Sequence, residues 1–368
     1  MAKLLPEICK IQYGYPFDSE QFSTTDGIPL VRIRDVLRGY SETYTNEACS
    51  DEYIVNNGDI LIGMDGEFNI AKWRGGKAVL NQRVCHLIPT AVDSGYLYHF
   101  MPSALKAIED KTPFVTVKHL SAKELNKIEV PLPPIDEQRR IAAVLDKAAA
   151  LIDLRKQQLA KLDELVKARF VEMFGDAKLN PKGYPVKALS EIAEYWNGLT
   201  YKPEEVSNNG TIVLRSSNIQ NAQLDFGDIV RVNCKIGEKK YVQDNDILMC
   251  SRNGSARLVG KVALIQGLSE PMSFGAFMMI IRSQYYPYLL TYFQMSAFRE
   301  QIATGATTTI NQITGNMLNK VMLPVPDIVT MNEFATFVKQ HDKSKAAIQK
   351  SLDEAQLLFD SLMQKYFG

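Results

Sequence analysis

The chain has 368 residues, 46% apolar and 23% charged, a composition typical of globular proteins and sufficient for two cores of ordinary size. Lysine plus arginine equals aspartate plus glutamate at 42 each, so the net charge gives no chain-wide electrostatic footprint for nucleic acid. No apolar run reaches membrane-spanning length and the N-terminal segment lacks an apolar stretch of signal-peptide length, so we expect a cytoplasmic protein.

The cysteines and histidines are too scattered for a disulfide framework or a metal site. The cysteines are odd in number and include no Cys-x-x-Cys pair, so we expect reduced thiols and no bound metal. These residues are Cys9, Cys49, Cys85, Cys234 and Cys250, with His86, His99, His119 and His341.

The first half of the chain opens with a pattern that the second half repeats. Leu5, Glu7, Ile8 and Gly14 recur as Leu189, Glu191, Ile192 and Gly198, 184 residues later. Residues 28–36 and 211–219 follow, and each segment places arginine among apolar residues, which predicts a strand with one polar face. Asp59 and Asp246 then each precede a buried apolar run that ends in a glycine-containing loop.

Two basic strips lie downstream of these loops. Residues 68–88 carry four cations and no acid, and residues 251–266 carry three cations and no acid. The strips occupy corresponding places in the two repeats. A neutral protein with two matched basic strips is suited to binding phosphates at two sites.

Arginine on a strand face is able to fork onto guanine or onto a phosphate, and it is equally compatible with a surface salt bridge. Within the strips, positioning contacts to phosphate are expected to outnumber contacts to bases. The candidate DNA-binding residues are Arg32, Arg34, Lys72, Arg74, Lys77, Arg83, Arg215, Arg252, Asn253, Arg257 and Lys261.

Three loops leave their roles open. Residues 63–67 and 251–255 carry glycines and polar side chains suited to approaching a groove, but Asp65 and Glu67 are equally suited to capping or orienting neighbouring arginines. The threonine-rich loop from Thr307 to Asn311 is compatible with phosphate binding and with a plain turn.

A long helix closes the first half. Prolines at 131, 133 and 134 exclude an earlier start, Asp136 is a suitable N-cap, and Gly175 ends the helix. Apolar residues recur at spacings of four and three, and this pattern is a heptad seam. Arg155 is the one interruption. A helix of roughly 50 Å is too long to pack along its whole length on one small domain, so it needs a partner.

The C-terminus supplies that partner, since residues 112–175 align without a gap on residues 305–368, 193 positions later. Pro131 and Pro133 fall on Pro324 and Pro326, and Thr330 with Glu333 forms a capping box for the second helix. The chain is therefore two copies of one α/β unit, each followed by a long helix. The predicted helix-pairing residues are Ile141, Leu145, Ile152, Leu159, Leu162, Val166, Phe334, Val338, Ile348, Leu352, Phe359 and Leu362.

In this layout the chain resembles the specificity subunit of type I restriction-modification systems. The resemblance rests on PLPPIDEQRRIA at 131–142, GDILIGMDGEF at 58–68, LNQRVC at 80–85 and the closing Met-Phe-Gly at 173–175, in this order and within a duplicated frame. It implies an α+β fold of two tandem target recognition domains, whose helices pair as an antiparallel coiled coil with pseudo-twofold symmetry. We predict domains at 1–134 and 186–327, helices at 135–175 and 328–368, and a linker at 176–185.

The resemblance also implies a function and partners. Each recognition domain would read one half of a bipartite, asymmetric DNA site, and the helices would set the spacing and dock two adenine methyltransferase subunits. S-adenosylmethionine would belong to those methyltransferase subunits, and ATP with Mg to restriction subunits, so that no cofactor binds this chain. The second helix departs from the pattern, since it begins Ile-Val-Thr-Met at 328–331 and Lys345 and Ala347 weaken its seam.

Two other classes of function remain as alternatives. An amino-methyltransferase needs an Asn/Asp-Pro-Pro-aromatic motif, but Pro133-Pro134 is preceded by Leu132 and followed by Ile135, so we expect no catalysis by the chain itself. A scaffold that joins two proteins through its helices without binding DNA is the structural alternative, and the duplicated basic strips argue against it.

Overall fold

A computed structural model describes residues 2–111, 118–220, 222–303 and 312–368. The chain divides into two compact units, which we call the first unit (residues 1–156 and 350–368) and the second unit (residues 157–349). None of the helices in these described ranges is both long and apolar enough to cross a membrane.

The described residues of the first unit form a series of short strands and helices, and the end of the C-terminal helix also belongs to this unit. Its strands are β1 Ala2–Leu4, β2 Cys9–Tyr13, β3 Phe22–Ser23, β4 Ile28–Val31, β5 Tyr44–Thr45, β6 Ile54–Val55, β7 Ile60–Gly63, β8 Ile70–Lys72, β9 Ala78–Leu80, β10 Val84–Pro89 and β11 Glu129–Pro131. Its helices are α1 Leu5–Ile8, α2 Ile33–Arg38, α3 Ser94–Lys111, α4 Ala122–Leu125 and the first part of α5 Ile135–Phe174. They combine into sheets of order β2-β10-β7-β8, β3-β5-β4-β9-β6 and β1-β11.

Strand β7 is buried on both faces, which explains its unbroken apolar run. Ile60 and Ile62 point into one core cluster with α3, and Leu61 points into another cluster that holds Trp73. Because side chains alternate across a strand, only a strand covered on both faces needs apolar residues at every position. The β7 run therefore marks the centre of the first unit.

The second unit repeats this plan. Its strands are β12 Val186–Ala188, β13 Glu194–Asn197, β14 Val206–Ser207, β15 Thr211–Leu214, β16 Ile219–Gln220, β17 Gln223–Leu224, β18 Arg231–Val232, β19 Ile247–Cys250, β20 Val262–Leu264, β21 Met272–Phe274, β22 Met278–Arg282 and β23 Met322–Pro324. Its helices are α6 Leu189–Ile192, α7 Tyr286–Phe293, α8 Ser296–Ala303, α9 Gly315–Leu318 and the first part of α10 Ile328–Phe367, with the end of α5. Its sheets have the orders β13-β22-β19-β20, β14-β18-β15-β21, β12-β23 and β16-β17.

Strand β19 is the counterpart of β7. Ile247 and Met249 point into one core cluster, and Leu248 and Cys250 point into the other. The pairing partners also correspond, since β7 pairs with β8 and β10 whereas β19 pairs with β20 and β22, all antiparallel. The mixed α/β plan and its duplication, both predicted from the sequence, are confirmed.

The glycines at the end of the opening pattern have a steric cause. A Cβ on Gly14 would lie 2.1 Å from the carbonyl oxygen of Asn81, and a Cβ on Gly198 would lie 2.1 Å from that of Phe274. In both units a backbone segment passes the neighbouring strand too closely for any side chain.

In the first unit, α5 packs beside the end of α10. Ile141 and Leu145 are buried in the core cluster against which Phe359 and Leu362 also pack. By contrast, Leu154 on another face of α5 is 49% exposed. The heptad pattern therefore marks the buried side of the helix here.

In the second unit, α5 and α10 run antiparallel. Phe174 lies 5.2 Å from Phe334 between ring centroids, and Asp163 contacts Lys345, so partners on α10 come earlier as α5 advances. The other predicted pairing residues are buried or half-buried in the unit to which each belongs. A continuous coiled coil with pseudo-twofold symmetry stays a prediction.

The helix starts differ slightly from prediction. Helix α5 begins at Ile135, so Asp136 is already in its first turn. Helix α10 is capped by Asp327, whose Oδ1 accepts hydrogen bonds from the backbone N–H groups of Val329 and Thr330 at 3.0 Å. The predicted capping box is therefore wrong, because an aspartate three residues earlier takes the capping position.

Candidate nucleic-acid interface

Arg32 and Arg215 occupy equivalent turns rather than strand faces. Each arginine directly follows a strand, β4 or β15, and precedes a helical turn. The backbone N–H of Arg32 donates to Oδ2 of Asp35 at 3.0 Å, and that of Arg215 donates to Oδ1 of Asn218 at 2.8 Å. The predicted continuous strands are wrong because these side chains three residues on close a helical turn.

The two capping arginines have different partners. The guanidinium of Arg32 lies 5.8 Å from the ring centroid of Phe22. Nη2 of Arg215 donates to Oδ2 of Asp228 at 2.7 Å. Arg34, in the following turn, donates from Nη2 to Thr43 Oγ1 at 2.9 Å. All three arginines are therefore oriented by neighbours, and the Arg34 side chain is 53% exposed.

A cavity of about 530 Å³ in the second unit brings three predicted residues together: Arg215, Arg252 and Asn253. Phe277, which also lines the cavity, is 59% exposed, and the guanidinium of Arg252 lies 5.3 Å from its ring centroid. Nδ2 of Asn253 donates to Ser216 Oγ at 3.1 Å. The cavity thus combines an aromatic surface with cationic and amide donors, the side-chain types that read nucleic-acid bases.

The remaining cations of the second strip lie elsewhere. Lys261 donates from Nζ to the carbonyl oxygen of Ile219 at 3.1 Å, so it helps to hold a loop. Arg257 is exposed. Neither residue lines the cavity.

In the first unit, the strip residues spread over several elements. Nζ of Lys72 lies 4.9 Å from the ring centroid of Tyr98. Burial raises the pKa of the Tyr98 hydroxyl, and nearby Arg74 opposes that rise. Arg74 and Lys77 are exposed. Tyr98 was not among the predicted residues, because its spacing within α3 resembles that of core aromatics.

Arg83 is oriented by an acid from the preceding loop. Its Nε lies 3.6 Å from Oδ2 of Asp65, and Oδ1 of the same carboxylate lies 2.5 Å from Nδ1 of His119. Of the two roles left open for Asp65, the structure favours that of orienting an arginine. His119 was missed as a partner, since 54 residues separate it from Asp65.

The sequence suggested that the two basic strips occupy corresponding places in the repeats. In the structure their individual cations do not fall at equivalent positions. Gly63 pairs with Val84 in the first unit, and Cys250 pairs with Met278 in the second. Counting from these pairs, Asp65 corresponds to Arg252, and Arg83 corresponds to Phe277. The bridges from Asp65 to His119 and from Arg252 to Gln312 agree with this alignment.

The threonine-rich segment from Thr307 to Asn311 lies outside the described residues. Within the described ranges, no three His, Cys, Asp or Glu side chains gather closely enough to hold a metal ion.

Comparison with known proteins identifies the family. The sequence profile of the type I restriction modification DNA specificity domain matches residues 2–164 and 181–356. This chain belongs to the type I restriction modification DNA specificity family. The two matched ranges place one specificity domain in each half of the chain.

Alignments with known specificity subunits cover most of the chain. The type I restriction enzyme EcoBI specificity subunit of Escherichia coli is 27% identical, over 98% of this chain and 83% of its own length. The EcoKI specificity subunit of Escherichia coli (strain K12) is 23% identical, over 95% of this chain and 84% of its own length. These relatives are specificity subunits of restriction enzymes.

Solved structures support the same fold. The crystal structure of the type I restriction-modification system S subunit from M. genitalium matches with a TM-score of 0.60 at 15% identity, over 100% of this chain and 96% of that chain. A chain from a structure concerned with complex assembly and conformational transition of the type I R-M system matches with a TM-score of 0.52 at 16% identity, over 100% and 97% of the two chains.

Proposed function

We propose that this chain is the DNA-recognition subunit of a type I restriction-modification complex and that it reads a bipartite, asymmetric site in double-stranded DNA. The observation that carries the proposal is that the DNA specificity family matches both halves of the chain. Each unit would bind one half-site. Equivalent positions carry different side chains, such as Asp65 in the first unit and Arg252 in the second, and this difference supports half-sites of different sequence.

Recognition would divide between phosphates and bases. Exposed cations outside the cavity, including Lys77 and Arg257, would contact phosphates and set the position of each unit on the duplex. Oriented arginines and the donors of the cavity would contact base edges in the major groove, where each base pair presents a distinct pattern of donors and acceptors.

The two long helices would serve as a spacer and as docking sites for two methyltransferase subunits. Helices α5 and α10 have 40 residues each. One heptad corresponds to about 10 Å of helix, or about three base pairs of DNA. Removing one heptad from both helices should change the tolerated distance between half-sites and leave the half-sites themselves unaltered, whereas altered half-sites would count against the spacer.

The chemistry would reside on partner subunits. Methyltransferase subunits carrying S-adenosylmethionine would flip out one adenine in each half-site and methylate its N6 position. Restriction subunits using ATP and Mg²⁺ would join the same complex. This chain would contribute sequence recognition and placement, without a cofactor of its own.

The decisive experiment is long-read detection of N6-methyladenine in genomic DNA of cells that express the methyltransferase partner with or without this chain. The proposal predicts that one bipartite methylation motif is present only when the chain is expressed. The sequence of that motif would give both half-sites and the spacer. Unchanged methylation, together with copurification of the partner, would favour the non-DNA-binding scaffold. Binding of the intact chain to DNA with no salt dependence would also contradict phosphate contacts.

A further inference from the structure

Each unit has one arginine at the same sheet edge, where the central strand β7 or β19 meets its partner β10 or β22. The two arginines are attached to strands that are not equivalent. In the second unit, Arg252 follows β19 and Phe277 immediately precedes β22. In the first unit the order is exchanged, since Asp65 follows β7 and Arg83 immediately precedes β10. Each unit therefore pairs one arginine with one supporting side chain at this edge.

The neighbouring side chain that holds the arginine is an aromatic ring in one unit and a carboxylate in the other. The guanidinium of Arg252 lies over the ring of Phe277, 5.3 Å from its centroid, and this cation–π contact restricts the position of the guanidinium. The carboxylate of Asp65 lies 3.6 Å from Nε of Arg83 and is itself held at 2.5 Å by His119. Among the described residues, no hydrogen bond engages the Nη donors of Arg83, so the contact at Nε leaves them available.

Both arginines keep donors available, unlike Arg231 and Arg282. Within the described ranges, the guanidinium of Arg252 makes no side-chain hydrogen bond, whereas those of Arg231 and Arg282 are engaged by Glu270 and Asp246 at 2.7 Å. Arg252 is exposed at the cavity, and the Arg83 side chain is 52% exposed. A guanidinium that is held in place by a neighbour and keeps free N–H donors is suited to bidentate hydrogen bonding with guanine O6 and N7.

We propose that Arg252 and Arg83 are the specificity-determining residues at this edge, each reading one guanine in its own half-site, an inference that rests on the proposed function. Phe277, Asp65 and His119 are positioning residues, since they act through the arginines. The arginine lies just before β10 in the first unit and just after β19 in the second. The two duplicated units would thereby read guanine from non-equivalent positions of their sheets, as an asymmetric site allows.

The test compares methylated motifs in cells that express the methyltransferase partner with each variant. Arg252→Ala should relax one G·C pair in one half-site, reducing discrimination there roughly tenfold. Arg83→Ala should do the same in the other half-site. Phe277→Ala should partly relax the pair affected by Arg252→Ala. The matched control is Lys187→Ala, which removes an exposed cation from β12, outside this edge, and should leave the motif intact.

Arg252→Gln sharpens the test, because glutamine pairs with adenine N6 and N7. A shift from guanine toward adenine at that one pair supports the assignment, and this variant also replaces Arg252→Ala if the latter lowers the melting temperature. A wild-type bipartite motif that keeps full stringency in the arginine variants overturns the assignment alone. Uniform loss of methylation in variants with unchanged melting indicates phosphate contact and also overturns it. A wild type without any bipartite motif removes both the assignment and the proposed function.

Discussion

Nζ of Lys345 on α10 donates a 2.7 Å hydrogen bond to Oδ1 of Asp163 on α5. The Lys345 side chain is 17% exposed and that of Asp163 is 51% exposed, so the ammonium end of a nearly buried side chain reaches the helix surface. Lys345 stands where the duplicated helix has Ile152, 193 positions earlier. A polar contact has thus replaced an apolar one within the seam.

Lys345→Leu should leave the free energy of unfolding unchanged or raise it by up to about 1 kcal/mol, because a half-exposed ion pair contributes little and leucine suits a seam position. Urea denaturation measures the change. Lys339→Leu, at an exposed position of the same helix, is the matched control and should bring no gain. A loss of more than about 1 kcal/mol in Lys345→Leu would mean that the pair matters more than its exposure indicates.

Ile141→Asp should lower the free energy of unfolding by several kcal/mol, because it places an unpaired carboxylate in a core cluster where Ile141 is 5% exposed. Leu154→Asp makes the same chemical change on the same helix at a residue that is 49% exposed. It should cost far less. Equal melting of the two variants in calorimetry would argue that the buried face of α5 does not support the fold.

Gly198→Ala should destabilise the protein by about 1–3 kcal/mol, because its Cβ would lie 2.1 Å from a backbone oxygen that has no flexible end to move aside. Gly14→Ala should behave alike for the same reason. Gly237→Ala is the control, since a Cβ there meets no atom within 4 Å. Thermal melts of the three variants make the comparison, and a stable Gly198→Ala would show that the strands can separate.

His86 makes stability depend on pH. Burial lowers the pKa of its imidazole below the ordinary value of 6.5, Lys10 adds to the shift, and Asp59 opposes it. The unfolded state therefore takes up a proton near pH 6.5 while the folded state resists, so the free energy of unfolding decreases as the pH falls through this range.

His86→Gln lacks this titration and should lose less stability than the wild type between pH 7.5 and pH 5. Urea denaturation at several pH values provides the measurement. Parallel curves for the two proteins would indicate that His86 protonates equally in the folded and unfolded states.

Spacing along the chain was enough to predict the duplicated frame. The heptad pattern and the prolines before it located α5 to within a residue, since helix geometry and the missing proline N–H act locally. The continuous apolar runs of β7 and β19 likewise indicated buried segments, and both strands are buried in the core clusters. Local rules were less reliable at the caps, where Asp35 and Asn218 ended predicted strands.

The sequence by itself determined two copies of an α/β unit with a long helix each, because helical periodicity is a local property and a repeat is found by comparing the sequence with itself. The tertiary structure alone decided which side chains meet. His119 reaches Asp65 across 54 residues, and Arg252 lies over Phe277 because β19 and β22 pair in one register. Such contacts depend on strand order and register, which are set by the packing of the whole core rather than by local sequence.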